Sequence, residues 1–91
     1  MPEEVLFKTE SKQSRTAIAT YLRQVADSLE DGKPITLTAG EQSVTMEPPE
    51  QLTFEVKAER EGAPDSPGEL SVEFELEWHE NGNGGGELQI E

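Results

Sequence analysis

The stretch Glu69-Leu70-Ser71-Val72-Glu73-Phe74-Glu75-Leu76-Glu77-Trp78 decides the fold, because every even-numbered position is apolar and every odd-numbered one is polar or anionic. A period of two is the period of a strand, whose successive side chains point to opposite faces. The segment therefore has one greasy surface and one charged surface. A helix, turning once every 3.6 residues, would scatter both sets around its axis. His79 carries the polar positions one step further, so that the alternation covers residues 70–79.

Working upstream, Leu52, Phe54, Val56 and Ala58 alternate with Thr53, Glu55, Lys57 and Glu59, which predicts a second strand of the same kind. Between the two, Glu61 to Gly68 holds Gly62, Pro64, Asp65-Ser66, Pro67 and Gly68 without any period, the composition of a loop. Pro48-Pro49 lacks two backbone donors and forces an extended corner before that strand. Earlier still, Ile35 and Leu37 alternate with Thr36 and Thr38, and Val44 and Met46 with Thr45 and Glu47. Ala39-Gly40-Glu41-Gln42 lies between them as the turn of a β-hairpin.

From Ser11 to Asp31 the period changes. Ile18, Leu22, Val25 and Leu29 step by four, three and four, and Ala17, Tyr21 and Ala26 widen the stripe, as on an amphipathic helix. Ser11 or Ser14 can cap its start; Gly32 supplies the positive φ that ends helices, and Pro34 prevents continuation. Lys12 and Arg15 in the first turns, with Asp27, Glu30 and Asp31 in the last, oppose the helix macrodipole. Packing must override them. At the two ends, Val5 and Phe7 give a short strand signal, Asn81 to Gly86 reads as a flexible Gly-rich turn, and Glu87-Leu88-Gln89-Ile90-Glu91 alternates once more.

These patterns predict one α+β domain over residues 1–80, with a Gly-rich turn and a short C-terminal strand over 81–91. Its expected architecture is one amphipathic helix packed on one face of an antiparallel sheet of four to six strands, in the order β-α-β-β-β-β. At 91 residues the chain has room for one core, and folding at this mass buries roughly 60 to 65% of the unfolded surface. Only 32% of the residues are hydrophobic, so a monomer is expected to be marginal and dimerisation is the obvious remedy.

The composition also excludes chemistry. The chain has no cysteine and one histidine, which removes disulfides, thiolate zinc sites and any multi-histidine metal site within one chain. No apolar run approaches the ~20 residues of a membrane span, and the acidic start Met-Pro-Glu-Glu does not resemble a secretion signal. A cytoplasmic, soluble protein is the expectation. Seven basic against twenty acidic residues give a net charge of -13, which repels phosphate backbones and anionic lipid, so neither nucleic acid nor membrane is an expected partner.

The stretch from Ser14-Arg15 through Ala19, Leu22, Ala26 and Leu29 to Gly32, followed by the amphipathic strand Glu69 to Trp78, resembles the amphi-Trp domain. The resemblance runs from Glu4 to Trp78, and its most specific part is the alternation of glutamate with apolar residues closed by tryptophan. A Glu- or Gly-rich tail after that tryptophan is similar to the family's usual ending. The resemblance implies a small prokaryotic domain, common in haloarchaea, with no established activity, cofactor or catalytic residues.

The distribution of charge points to the same setting. Residues 1–33 carry five cations against six acids, whereas residues 34–91 carry two against fourteen, so the predicted sheet half is the acidic half. Glu73, Glu75 and Glu77 stand about 7 Å apart on one strand face. Their repulsion falls to about half at 0.1 M salt and to roughly a tenth at 1 M, where the Debye length is about 3 Å. A halophile protein stabilised by molar salt is the expectation. The excess of glutamate over aspartate, seventeen to three, does not follow from screening.

The candidate site residues are few. His79 shares a strand face with Glu77 and Glu75 and could join them in a weak metal site, although a lone histidine is more often a solvated residue. Asn81 to Gly86 is glycine-rich but lacks the Lys-Ser or Lys-Thr of a phosphate loop. Ser14 and Arg15 at the helix start are explained by ordinary capping. Phe74 and Trp78 are the large aromatics of the apolar strand face, Phe74 for the core and Trp78 for core or interface.

The expected function is therefore a non-catalytic interaction or structural module of a halophilic cytoplasm, without cofactor, metal or catalytic residues. It is expected to self-associate as a homodimer or to bind another protein through Trp78 or through a tail strand bearing Leu88 and Ile90. The alternative is a small-ligand or metal-binding domain using His79 and nearby carboxylates.

Overall fold

The computed structural model describes residues 3–80. One helix precedes four strands: α1 (Arg15–Asp31), β1 (Ile35–Ala39), β2 (Gln42–Met46), β3 (Thr53–Glu61) and β4 (Glu69–Glu77). The α+β class is as expected. The strands form two antiparallel two-stranded sheets, β1-β2 and β3-β4, where one larger sheet was expected. The chain divides at Pro48-Pro49 into two compact units, the first holding α1 and the β1-β2 hairpin, the second the β3-β4 hairpin.

In the first unit the helix starts at Ser14, not Ser11. Ser14 is extended (φ -69°, ψ 155°), its hydroxyl accepts from the Ala17 amide at 3.1 Å, and its carbonyl accepts from Ile18 at 3.0 Å. Lys12 consequently lies outside the helix, and Arg15 alone opposes the dipole in the first turn. At the other end Gly32 has φ 67°; its amide donates to the Leu29 carbonyl at 3.3 Å and the Lys33 amide to Ser28 at 2.9 Å. That pair of bonds is a Schellman motif, which satisfies carbonyls the helix leaves open.

The β1-β2 hairpin turns on Gly40 and Glu41. Gly40 has φ 59°, and no non-glycine residue among those described has positive φ, the pattern of a type II′ turn. The register pairs Ala39 with Gln42, Leu37 with Val44 and Ile35 with Met46, placing the apolar Ile35, Leu37, Ala39, Val44 and Met46 on one face together with Gln42. The other face is a hydroxyl ladder, with Thr36 against Thr45 at 3.1 Å and Thr38 against Ser43 at 3.5 Å. The helix contacts β1.

The strand expected at Val5 to Lys8 does not form; residues 3–14 carry no regular secondary structure. So short an alternation offers few ladder bonds. Instead the Gln42 side chain reaches across: its amide donates to the Lys8 carbonyl at 3.1 Å and its oxygen accepts from the Lys8 amide at 3.3 Å. One side chain thus supplies the two bonds that a partner backbone would.

In the second unit β3 and β4 pair over nine residues each, from Thr53↔Glu77 to Glu61↔Glu69. Their connection is held by Arg60, whose guanidinium donates to the carbonyls of Gly62 at 3.4 Å, Ala63 at 3.1 Å and Ser66 at 2.7 Å. Gly62 sits at φ 139°, and a side chain there would meet the Gly68 backbone; one on Gly68 would meet the Glu61 carbonyl and the Arg60 guanidinium. Both glycines are therefore required by close backbone approach. Gly68→Ala is expected to lower the hairpin's stability by about 1–3 kcal/mol, read as a fall in melting midpoint, while Ala63→Ser in the same loop changes it little.

Candidate functional site

The register of β3 and β4 sorts their side chains into two unlike surfaces. On one face lie Phe54, Val56 and Ala58 with Leu70, Val72, Phe74 and Leu76. The rings of Phe54 and Phe74 stack at 6.3 Å between centroids with planes 7° apart, a diagonal cross-strand pair. The face is open: Leu70 is 78% exposed, Phe54 60%, Val72 59%, Phe74 58% and Val56 55%. Taken together these five side chains present on the order of 500 Å² of apolar surface, near the upper end of the largest patches on ordinary monomers.

The opposite face carries Glu55, Glu59 and Glu61 on β3 and Glu69, Glu73, Glu75 and Glu77 on β4. Its one cation is Lys57, which forms an ion pair with Glu59 at 2.8 Å. Two glutamate pairs, Glu55↔Glu75 and Glu61↔Glu69, stand directly opposite one another, the arrangement in which like charges destabilise a ladder. Glu55, Glu75 and Glu77 can bring carboxylate oxygens within 4.8 Å of each other. All three are exposed.

The Glu75 carboxyl is held above its ordinary pKa of 4.5, first because Glu55 accepts a hydrogen bond from the protonated form and next because the charge of Glu77 disfavours ionisation. A folded-state pKa above the unfolded value contributes stability that is complete below about 4.5 and disappears as pH rises through the raised value. Glu75→Gln is thus expected to raise the melting midpoint at pH 7 in 0.1 M KCl. Between pH 4 and 7 the native protein's midpoint should fall relative to that of the variant, and parallel curves would show that Glu75 does not report on its neighbours.

The expected site residues are only partly brought together. Glu75 and Glu77 converge with Glu55, which register alone identifies, and His79 is not a member of that group. His79 is exposed one residue beyond Trp78, which is half-buried just after β4 ends. Phe74 is exposed where a core position was expected. Ser14 is occupied in capping, as ordinary helix chemistry predicts. Leu88 and Ile90, and the run Asn81 to Gly86, lie outside the described residues.

The first unit carries a concave feature. It is an open groove of about 790 Å³, lined by Phe7 and Thr9 of the leading segment, by Tyr21 and Val25 of α1 and by β1. Every residue of β1 lines it. Among the described residues no helix is long and apolar enough to cross a membrane.

The family model for the Amphi-Trp domain matches residues 1–91. No curated protein and no solved structure matches the chain.

Proposed function

Since the chain belongs to the Amphi-Trp domain family over its whole length, we propose that it is a non-catalytic interaction module that self-associates in the salt-rich cytoplasm of a halophile. The observation that carries this reading is the open apolar face of β3-β4, backed by seven glutamates on the other side of the same two strands. A two-stranded hairpin is marginal in water by itself, and needs cover on its greasy side. The acidic side cannot provide that cover, since two such surfaces repel each other.

Two copies stacked through their apolar faces would cover roughly 1,000 Å² in total, the lower end of specific interfaces. A reversible, concentration-dependent dimer follows, with both acidic faces left in solvent. Sedimentation equilibrium of the 10.0 kDa chain in 2 M KCl tests it. A dimer forming across the micromolar range is expected; a single 10.0 kDa species throughout that range would remove self-association.

The ligand-binding alternative rests on His79 with its neighbouring carboxylates. The three carboxylates that converge do so without it, and we therefore place this reading second.

A further inference from the structure

We propose that the outer edge of β1 docks a segment of another protein: an extended, uncharged peptide that adds antiparallel to β1 and carries apolar side chains at alternate positions. This inference is independent of the hairpin-face dimer. Among the described residues β1 pairs with β2 alone. Ala39 and Gln42 flank a two-residue turn and are therefore a hydrogen-bonded pair. By alternation Leu37 with Val44 and Ile35 with Met46 are hydrogen-bonded pairs as well, and the amides and carbonyls of Thr36 and Thr38 point away from β2.

The groove of the first unit includes that edge. All five residues of β1 line it and no residue of β2 does. Neighbouring side chains of a strand point to opposite faces, so a surface that touches every residue of β1 and none of its partner must take in the outer edge. Phe7, Tyr21 and Val25 add apolar surface to the same groove. A free edge beside apolar side chains is the arrangement in which an extended peptide adds a strand, the ladder supplying affinity and alternate side chains supplying specificity. Ile35, Leu37 and Ala39 share the face that such side chains would meet. On the other face the Thr36 and Thr38 hydroxyls are already engaged with Thr45 and Ser43.

Charge selects the class of peptide. Proteins guard exposed sheet edges with charged side chains and proline. β3 carries five charged residues in nine and β4 four in nine, so both are guarded. β2 has no charge of its own but runs directly into Glu47-Pro48-Pro49. β1, Ile35-Thr36-Leu37-Thr38-Ala39, has neither charge nor proline. Glu10 is the one charged residue lining the groove, in a chain of which 30% is charged. Residues 1–48 as a whole carry five cations against eight acids, which disfavours an acidic peptide, and a basic one would find Glu10 alone. Ladder bonds and apolar contacts, unlike ion pairs, are not screened by salt.

The test uses the full-length protein and a fluorescein-labelled, end-capped peptide Thr-Val-Thr-Val-Thr in 2 M KCl. Antiparallel addition sets the peptide's threonines opposite Thr36 and Thr38, with their amides aimed at β1, and its valines on the face of Leu37, with their amides aimed away. N-methylation of the threonines is expected to weaken binding about tenfold or more, whereas N-methylation of the valines changes it little. Equal effects, or no saturable binding of the unmodified peptide below about 1 mM, would overturn the proposal. Thr38→Pro removes one outward donor without breaking a bond to β2 and should also weaken binding; the methylated peptides decide the matter if that variant does not fold. In the free protein the Thr36 and Thr38 amides should exchange about tenfold or more faster than the Leu37 amide, and the peptide should slow them. Equal protection before the peptide is added would mean that the edge is already occupied, and slowing confined to β3 and β4 that the peptide binds the hairpin face; either result overturns the proposal. Affinity should not fall between 0.1 and 2 M KCl, and a loss of about tenfold would mark a charge-driven contact and overturn it too.

Discussion

Replacing Phe74 with aspartate is expected to leave the protein monomeric at concentrations where the native chain sediments as a dimer in 2 M KCl. Phe74 is 58% exposed at the middle of the apolar β3-β4 face and stacked on Phe54. Removing its exposed ring from an interface forfeits roughly 3 kcal/mol per copy in transfer free energy, which raises the dissociation constant at least about a hundredfold. The introduced carboxylate adds a desolvation cost of its own. Because Phe74→Asp also breaks an aromatic pair worth about 0.5–1.5 kcal/mol within the hairpin, Leu70→Ser is the companion variant. Leu70 lies at the loop end of the face, 78% exposed, where little of the chain's own packing depends on it. If both variants keep their native circular dichroism and still dimerise, the interface is elsewhere.

The second large effect concerns salt. Raising KCl from 0.1 to 2 M is expected to raise the melting midpoint by about 10 °C or more, because stacked like charges on β3-β4 are screened. The face that produces this effect is specific: Glu55 opposes Glu75, Glu61 opposes Glu69, and one lysine compensates seven glutamates. Its contribution separates from general salting-out by substitution. A chain carrying Glu55→Gln and Glu69→Gln should melt higher than native at 0.1 M KCl and gain less on going to 2 M. A midpoint indifferent to KCl would remove the halophilic reading, and an undiminished gain in the double variant would place the relevant charges outside this face.

Much of the structure was legible in the residue pattern. The alternation from Leu70 to Trp78 and from Leu52 to Ala58 locates β4 and β3, the steps of three and four from Ile18 to Leu29 locate α1, and Gly32 and Gly40 mark a helix end and a turn where positive φ is required. These features are local, set by side-chain period and by backbone sterics within a few residues. What periodicity does not carry is pairing. That strands lie in two sheets depends on which edges meet, and the same alternation would serve one sheet or two. Register is likewise invisible in a single strand, so Glu55 joins Glu75 and Glu77 through cross-strand alignment. Nothing in the residue pattern singles out Arg60, for a related reason. Its three bonds run to loop carbonyls, and a carbonyl acceptor is present at every residue whatever the side chain.

The bridge from Gln42 to Lys8 has an evolutionary corollary. A segment held by a ladder is committed to a register, and any insertion within it shifts every partner beyond. Held instead by a single amide that grips one peptide unit, the leader ahead of α1 can drift in length and composition while the hairpin beneath it stays unaltered. Insertions or deletions within residues 3–7 are thus expected to shift the melting midpoint little, whereas Gln42→Ala removes both bonds that hold the segment.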